Sequence, residues 1–346
     1  MTGESRFEAD PEELVDPDEV AALPAGWVVD VPDPEADLDA LTRLLRDHER
    51  HGRGWPGSDE DDVLVEVSAH GLRTRQNVVV RDGSGAVRAW GSVHDRASGR
   101  MLFVHVVARD LPESMGRGCS DVLVEWAVGQ AREVGRARGL DVQQIDTGAY
   151  AGDERQHRWL AGSGFERVRT WWQMSRPVDP AERDLVPSPE RWEDRGVTFR
   201  LAEGEDDHRA VHDVLEEAFT DHFNSKPETF DEFLHRLRED PGHRWDHWWL
   251  AELDGAPVGA LVGTESASGS YVAYIGVVEA ARGRGVAKNL LRTIVADAAA
   301  RGRDAVGLEV DADSETGAHH LYESMGWTTS YVTESWHRDV PVSLGE

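Results

Sequence analysis

The chain has 346 residues, of which 39% are hydrophobic, so it is long enough for two domains of ordinary size with substantial cores. It carries 66 aspartates and glutamates against 37 lysines and arginines, and the formal net charge of −29 argues against a nucleic-acid partner because that charge repels phosphate. One cysteine, Cys119, excludes an intrachain disulfide and a zinc site built from cysteines.

No apolar run in the chain approaches the roughly 18 residues that a membrane-spanning helix needs. The first residues also lack the basic and then apolar pattern of a secretory leader. We therefore expect a cytoplasmic protein that does not bind a membrane. The excess of acid would attract cationic small molecules such as amines, although its simplest role is to keep the protein soluble.

Two composition shifts divide the chain. Residues 1–25 hold eight acidic side chains against one basic side chain, Arg6, and this balance predicts a disordered acidic tail. Residues 179–195 place three prolines among charges, which is typical of an extended linker. The predicted domains are therefore residues 26–178 and residues 196–346.

These two segments repeat each other. Five short motifs recur in the same order, at offsets that drift from 172 to 162 residues, and this pattern predicts two copies of one fold with loop insertions. The recurring pairs are Asp82-Gly83 with Asp254-Gly255, Ser98-Gly99 with Ser268-Gly269, Gly116-Arg117-Gly118 with Gly283-Arg284-Gly285, Arg138-Gly139 with Arg301-Gly302, and Gly164-Phe165 with Gly326-Trp327.

The second copy has a readable order of elements: a strand, helices, three strands, a helix, a strand, a helix and a strand. Alternating and apolar runs predict the strands, and apolar residues at helical spacing predict the helices. The predicted strands are 197–203, 247–253, 256–264, 270–278, 305–310 and 331–340, and the predicted helices include 208–219, 286–302 and 316–326. This order predicts a mixed α/β sheet with crossover helices.

A glycine-bearing turn joins the apolar strand 270–278 to the long helix. Free N–H groups in the first turn of a helix, together with the helix dipole, make an anion site there. Gly283 and Gly285 let a phosphate approach the backbone, and Arg282 and Arg284 add positive charge. The spacing is neither the dinucleotide-binding fingerprint nor a Walker loop, so the glycines alone fit a phosphate site and a plain turn equally well.

Two motifs in this copy resemble a known family. Arg282, Gly285 and Ala287 match the pattern Gln/Arg-x-x-Gly-x-Gly/Ala, and residues 321–327, Leu-Tyr-Glu-Ser-Met-Gly-Trp, match Leu-Tyr-x-x-x-Gly-Phe. Both are motifs of the GCN5-related N-acetyltransferases (GNAT), and the resemblance covers roughly residues 197–340. The duplication is similar to tandem GNAT proteins of actinobacterial type, a group that includes mycothiol synthase.

The resemblance implies a fold and a donor site. Each copy would be a mixed, mostly antiparallel sheet with a splayed central strand pair flanked by helices (α/β, or α+β). The donor would be acetyl-CoA, and a backbone N–H near Val277 would polarise its thioester. The residues implied for acetyl-CoA binding are Ile275, Gly276 and Val277 for the pantetheine arm, and Arg282, Gly283, Arg284, Gly285, Val286 and Ala287 for the pyrophosphate.

The resemblance also implies catalytic roles. Tyr322, by its motif position, would protonate the leaving thiolate, and the alternative is that it only packs on the sheet. The family's usual glutamate is missing from strand 270–278, so the base is either a water relay or another residue. The candidates are Glu309, Asp221 and His222, each of which could instead be a solvated surface residue. We find no His or carboxylate cluster with metal-ligand spacing and expect no metal.

The first copy departs from both motifs. Met115 replaces the leading Gln/Arg of the loop, Ser120 replaces the final Gly/Ala, and Trp159-Leu160 stands at the Leu-Tyr position. We therefore expect a degenerate GNAT-like fold without transferase activity, which either keeps a CoA site or only supports the second copy.

Three tryptophans crowd one strand of the second copy. Strand alternation would place Trp245 and Trp249 on one face and Trp248 on the other. Core packing explains most of this pattern, and an apolar wall for the acceptor is the alternative.

The leading hypothesis is an acetyl-CoA-dependent N-acetyltransferase that acts on the amine of a small molecule, with catalysis in the C-terminal copy. A narrower version is mycothiol-synthase-like acetylation of a cysteinyl sugar. The alternative from another class is a non-catalytic acyl-CoA-binding or scaffold protein. The expected oligomeric state is a monomer or a homodimer.

Overall fold

The computed structural model of the chain describes residues 23–96, 99–184, 196–220, 228–266, 269–314 and 317–342. Residues 1–22 of the acidic tail predicted over residues 1–25, and the greater part of the linker predicted over residues 179–195, lie outside the described residues. None of the helices in the described ranges is long and apolar enough to cross a membrane.

The N-terminal half runs from a strand to two helices, three strands, a helix, a strand, a helix and a strand. Its elements are β1 (Val28–Asp30), α1 (Leu38–Arg53), α2 (Glu60–Val67), β2 (Arg75–Arg81), β3 (Val87–Arg96), β4 (Arg100–Val107), α3 (Glu113–Arg138), β5 (Val142–Tyr150), α4 (Glu154–Gly162) and β6 (Glu166–Pro177).

The C-terminal half repeats the same order, which confirms the element order predicted for the second copy. Its elements are β7 (Val197–Leu201), α5 (Gly204–Phe219), α6 (Phe230–Arg238), β8 (His243–Leu253), β9 (Ala256–Ser266), β10 (Gly269–Val277), α7 (Val286–Ala300), β11 (Ala305–Asp311), α8 (Ala318–Ser324) and β12 (Thr328–Pro341). The duplication found in the sequence is therefore also a duplication of secondary structure.

The β8–β9 hairpin shows why the local sequence dictates this order. Asp254 and Gly255 have φ angles of 51° and 82°, in the left-handed region that the tight turn requires and that glycine adopts without steric cost. A continuous buried run on either side, residues 247–251 and residues 258–264, then identifies the two strands as central strands of the sheet.

All strands of the described chain join one twelve-stranded sheet in the order β1-β2-β3-β4-β5-β12-β6-β11-β10-β9-β8-β7. The last strands of the two halves are exchanged, since β12 pairs with β5 and β6 pairs with β11. Each half thus completes its sheet with a strand of the other, and β6 and β12 pair with each other at the centre. Most pairs are antiparallel, and the parallel pairs are β4 with β5 and β10 with β11.

Two hydrophobic cores flank the centre of the sheet. The N-terminal core includes Leu41, Trp90 and Leu123, and Asn77 Oδ1 accepts a hydrogen bond of 2.9 Å from the indole of Trp90. The C-terminal core is built around Trp248 and Leu290, both almost fully buried. Amphipathic helices seal both cores, because their apolar faces cover the sheet.

The tryptophans of β8 differ from the expected alternation. The register of β8 against β9 shifts between His243 and Trp248, so the two-residue period is broken there. As a result Trp245 lies against Trp248, with ring centroids 5.1 Å apart, rather than on the opposite face. Trp248 and Trp249 are buried in the core, as core packing predicted.

The parallel pair β10 and β11 separates along its length. The two strands are paired only where Ser270–Val272 faces Val306–Leu308. A register irregularity between Val272 and Tyr274 leaves one extra residue, Ala273, in β10 against β9. Such a bulge bends the strand and increases its twist, so it turns the rest of β10 away from β11. The splayed strand pair expected from the sequence is therefore present.

Candidate active site

The donor end of the gap is formed by the turn before α7. A short 3₁₀ turn at Glu279–Ala281 is followed by Gly283 and Gly285, whose φ angles are 75° and 82°. Helix α7 then begins at Val286. None of the backbone N–H groups from Gly283 to Lys288 donates a well-formed hydrogen bond to another described group of the chain. A row of free donors at a helix N-terminus is an anion site.

Cations surround this row of donors. Arg282 and Arg284 are exposed. Within the described parts of the chain, neither they nor Lys288 forms an ion pair with a carboxylate. In a chain with a net charge of −29, three such cations around one turn are a local exception. The phosphates of an acyl-CoA would match both the donors and the charge.

The free edge of β10 adjoins this turn. Ile275, Gly276 and Val277 pair with β9 on one side, while the register with β11 ends at Val272. At Gly276 an added Cβ would lie 2.8 Å from the Cβ of Ala218, so helix α5 packs directly against the backbone there. The residues expected to hold the pantetheine arm therefore border the open gap between β10 and β11.

Tyr322 lies in α8, on the same side of the sheet as α7. His319 of α8 contacts the ring of Trp172 at 5.0 Å, and Trp172 pairs with Val310, one of the β11 residues of the core. Tyr322 is 8% exposed, and burial raises the pKa of its hydroxyl to about 12. With this pKa the hydroxyl is protonated at neutral pH. It has no hydrogen-bond partner among the described residues, so its proton is free to be donated.

Glu309 lies on the opposite face of the sheet from Tyr322. Along β11 the side chains of Leu308 and Val310 are buried, and Glu309 alternates with them. An added Cβ at Gly307 would touch the ring of Tyr271 at 3.0 Å, which places Tyr271 on the Glu309 face.

The amide of Gln173 donates a hydrogen bond to Glu309. Glu309 lies in an open cleft, so water reaches its carboxyl group. Protein surrounds the carboxyl on several sides, and this partial burial raises its pKa. A carboxylate whose pKa is raised is a stronger base than an ordinary surface carboxylate, and contact with solvent lets it release the proton again.

The cleft that contains Glu309 extends across the centre of the sheet. It has a volume of about 430 Å³ and takes side chains from both halves. Its lining includes Glu309, Gln173, Trp171, Thr333, Tyr150 and His48. Strand exchange creates this cleft, because it brings β5, β12, β6 and β11 side by side.

The remaining predicted catalytic residue, His222, lies outside the described residues, as does Asp221. In the described ranges no three His, Cys, Asp or Glu side chains converge as a metal site.

The corresponding gap in the N-terminal half is closed at its helix. From the sequence we predicted a loop at residues 115–120. This prediction is wrong, because α3 already begins at Glu113 and includes the whole segment. Pro112 precedes the first helical turn, where its fixed φ suits a helix start. The carboxylate of Glu113, which accepts a 2.9 Å hydrogen bond from Trp159, stands where a phosphate would need positive charge.

Side chains of α4 fill the rest of that gap. Arg155 donates hydrogen bonds of 3.2–3.3 Å to the carbonyls of Ala108, Arg109 and Leu111, and its guanidinium lies 4.4 Å from the ring centroid of Trp159. Gln156 is 2% exposed, and its amide donates to His105 O in β4 at 3.3 Å and to Gly148 O in β5 at 3.4 Å.

The C-terminal half has small residues at the matching positions. With the offset of 162 that links Gly164-Phe165 to Gly326-Trp327, Arg155 corresponds to Gly317, Gln156 to Ala318 and Trp159 to Leu321. The sequence analysis did not identify Arg155 and Gln156 as the residues that fill the N-terminal gap. Aligning the two halves at this offset would have shown long polar side chains in one half opposite Gly317 and Ala318 in the other. Cys119 is fully buried and burial raises the pKa of its thiol to about 11, so it is a packing residue.

Comparison with known proteins gives consistent results. A family model described as the acetyltransferase (GNAT) family matches residues 208–327. A mycothiol acetyltransferase from Frankia alni is 30% identical over 326 residues, which is 87% of this chain and 91% of that protein. A mycothiol acetyltransferase from Thermobispora bispora is 33% identical over 188 residues, and this match spans 52% of this chain and 61% of the relative.

A solved structure extends the likeness over both halves. The GCN5-related N-acetyltransferase from Sphaerobacter thermophilus superposes with a TM-score of 0.75 at 26% sequence identity, covering 94% of this chain and 99% of that one.

Proposed function

Because the chain belongs to the acetyltransferase (GNAT) family, whose acyl donor is acetyl-CoA, we propose that it acetylates the amine of a small molecule in its C-terminal half. The observation that carries this proposal is the row of free N–H groups from Gly283 to Lys288 beside the unpaired edge of β10. The N–H groups would hold the pyrophosphate, and Arg282 and Arg284 would add positive charge there. The edge of β10 would pair with the pantetheine arm.

The acceptor amine attacks the thioester carbonyl directly in this proposal. The nitrogen lone pair forms the C–N bond, and the C–S bond breaks as the electron pair leaves on sulfur. A backbone N–H near Val277 stabilises the negative charge that develops on the carbonyl oxygen. Tyr322 gives its proton to the leaving thiolate, and its high pKa keeps that proton in place until the thiolate forms.

Glu309 receives the proton that the amine nitrogen gives up. It lies on the sheet face opposite Tyr322, so acid and base flank the gap from two sides. Its raised pKa makes it a stronger base than an ordinary surface carboxylate. Exchange with solvent then restores both side chains to their starting protonation states.

A cysteinyl sugar is the narrower candidate acceptor. It is favoured by the relatives named mycothiol acetyltransferase and by the cleft at Glu309, where Trp171 and Tyr150 offer flat aromatic surfaces and Thr333 offers a hydroxyl. Aromatic faces with a few polar groups are suited to bind sugar rings. The competing proposal is a scaffold that binds acyl-CoA without turnover.

Two measurements test the proposal. Calorimetric titration with acetyl-CoA should give one site per chain, and replacing Gly285 by a bulky residue should remove it, because its φ of 82° and its place in the turn admit no side chain without strain. A thiol-release assay with acetyl-CoA and a panel of amines, including a cysteinyl sugar, should then show turnover. Binding without thiol release would favour the scaffold, and absence of binding would refute both.

A further inference from the structure

Trp55 is an exposed tryptophan in the loop that follows α1, with 43% of its surface open to solvent. Tryptophan is highly buried on average, because its large apolar area is costly to expose. Trp55 is nevertheless held in one place. Its backbone carbonyl accepts a hydrogen bond of 3.1 Å from Nε of Arg53, and the guanidinium of Arg53 lies 5.8 Å from the centroid of the indole ring.

The loop that carries Trp55 is fixed to α1 by a buried carboxylate. Glu49 accepts hydrogen bonds from the backbone N–H groups of Gly57 and Ser58, at 2.7 and 2.9 Å, and from the hydroxyl of Ser58 at 2.7 Å. Glu49 also pairs with Arg53 at 2.8 Å, so the cation beside the tryptophan is already balanced. The position of Trp55 is therefore built into the fold, and its surroundings favour an uncharged ligand over an anion.

A row of aromatic rings connects Trp55 to the cleft that contains Glu309. The ring of Trp55 meets Tyr331 of β12 edge to face, with ring centroids 5.7 Å apart. The ring of Tyr331 lies 5.9 Å from that of Tyr150, which lines the cleft. Tyr331 also precedes Thr333 by two residues in β12, and Thr333 lines the same cleft. The aromatic surface therefore runs without a break from the cleft to solvent at Trp55.

Helix α1 of the N-terminal half forms a wall beside this row. His48 of α1 lines the cleft, and its ring lies 5.3 Å from that of Tyr150. One turn further along the helix, an added Cβ at Gly52 would be 1.9 Å from Cδ2 of Tyr150, so the helix lies directly on that ring. Arg53 then donates a hydrogen bond of 3.2 Å to the hydroxyl of Tyr331. The half whose own gap is closed thus contributes one side of the cleft.

An anchored aromatic ring at the end of a ligand cleft is suited to pack on a ring of the ligand. Tyrosine and tryptophan offer large apolar faces and lose little conformational freedom on binding. A sugar ring presents an apolar C–H face, and its hydroxyl groups need water or polar partners. A partly exposed aromatic side chain meets both conditions, since it covers the C–H face and leaves the hydroxyl groups in contact with solvent.

We propose that Trp55 and Tyr331 bind a sugar ring of the acceptor, beyond the cleft in which Glu309 receives the proton of the amine. This inference rests on the proposed function and deepens it, because it assigns selection of the acceptor to a residue of the N-terminal half. Trp55 is then a specificity residue and not a catalytic residue. Arg53 is a positioning residue, since it holds the carbonyl of Trp55 and the hydroxyl of Tyr331.

The test compares two acceptors on the full-length protein at saturating acetyl-CoA. One is a cysteinyl sugar, and the other is cysteine amide, which presents the same amine without a ring. Formation of coenzyme A is followed by chromatography, because both acceptors carry a thiol of their own. The variants are Trp55→Ala, Trp55→Phe, which keeps an aromatic ring, and Trp245→Ala. Trp245 is a matched control, since it is 37% exposed and its ring packs on Trp248 of the C-terminal core.

The parent should have a lower KM for the cysteinyl sugar than for cysteine amide. Trp55→Ala should raise the KM for the cysteinyl sugar by about 3- to 10-fold, the effect of losing one aromatic contact. It should leave kcat unchanged, because Trp55 touches no reacting atom. Trp55→Phe should keep most of the preference for the sugar and Trp245→Ala all of it, while the KM for cysteine amide stays the same in all four proteins.

Equal KM values for the two acceptors in the parent, an unchanged KM for the cysteinyl sugar in Trp55→Ala, or an equal rise for both acceptors would overturn the proposal. Transfer to neither acceptor would count against the proposed function instead. Calorimetric titration of the coenzyme A-saturated protein with the cysteinyl sugar then decides the inference on its own. Weaker binding by Trp55→Ala than by the parent and Trp245→Ala would support the site, and equal binding or none would overturn it.

Discussion

The two halves of the molecule share one order of elements and differ in what occupies the gap between their parallel strands. In the N-terminal half, Gln156 bridges β4 and β5, and Arg155 binds the carbonyls before α3. In the C-terminal half the matching positions hold Gly317 and Ala318, which have no side chain long enough to reach across the two strands. The comparison teaches that a few side chains on one short helix convert a ligand cleft into part of a core, while the backbone plan is kept.

Charge at the helix start follows the same division. The N-terminal half begins α3 with the carboxylate of Glu113, and Arg117 is held by Asp121 at 3.6 Å. The C-terminal half begins α7 with backbone N–H groups and an Arg284 guanidinium that have no partner among the residues the structure describes. One helix start repels an anion and the other attracts it, so we expect one acetyl-CoA per chain.

The largest expected effect is that of Tyr322→Phe. Removing the hydroxyl takes away the proton for the leaving thiolate, so kcat should fall by about 100- to 1,000-fold. The dissociation constant for acetyl-CoA, measured by calorimetry, should not change. Leu160→Met at the matching position of the N-terminal half should leave kcat as it is, and an unchanged kcat in Tyr322→Phe would remove the residue from the mechanism.

Ala318→Gln would place in the C-terminal half the glutamine side chain that fills the gap of the N-terminal half at Gln156. The new amide would compete for the strand edges that the pantetheine arm needs, and acetyl-CoA should bind about 100-fold more weakly by calorimetry, the loss of roughly two hydrogen bonds.

Gln156→Ala is the reciprocal control. It should leave the affinity and the stoichiometry for acetyl-CoA unchanged, and it should lower the free energy of unfolding by about 1–3 kcal/mol in urea, because the buried carbonyls of His105 and Gly148 lose their donor. If a second acetyl-CoA site appeared in this variant, the side chain of Gln156 alone would be what prevents the N-terminal half from binding acetyl-CoA.

A smaller effect is expected when charge is reversed at the helix starts. Arg284→Glu should weaken acetyl-CoA binding by about 10-fold, since it replaces an attraction to phosphate by a repulsion. Arg117→Glu, the matched position in the N-terminal half, should have no effect on that binding. Equal weakening by both substitutions would mean that the total charge of the protein, and not this loop, governs the affinity.

The smallest effect concerns pH. Because burial raises the pKa of Glu309, the fraction of deprotonated base falls as pH is lowered through a range above that of an ordinary carboxyl, and kcat/KM should fall with it. Glu309→Gln should lower kcat/KM and flatten this acid limb, whereas the exposed Glu205→Gln should leave the profile intact. An acid limb that persists in Glu309→Gln would assign the base to another group or to water.

Much of the fold could be predicted because it follows from local chemistry. The Asp254-Gly255 turn, the apolar strand before Gly283 and the helical spacing after it are properties of neighbouring residues, and they specified the element order of the C-terminal half. The loop of the N-terminal half was misjudged for the same reason, since Gly116 and Gly118 suggest a turn locally and yet lie in a helix packed against Arg155 and Trp159.

The sequence by itself determined the duplication, the repeated order of elements, the glycine-bearing turn before α7 and the position of Tyr322 in its motif. Only the tertiary structure decided that β6 and β12 change places, that Gln156 fills one gap, and that Arg75 of one half pairs with Glu239 of the other. The physical reason is the separation along the chain of the residues whose contacts decide each feature. Turns and helices are set by residues close in the chain, whereas strand exchange and cleft filling depend on contacts between residues up to about half the chain apart.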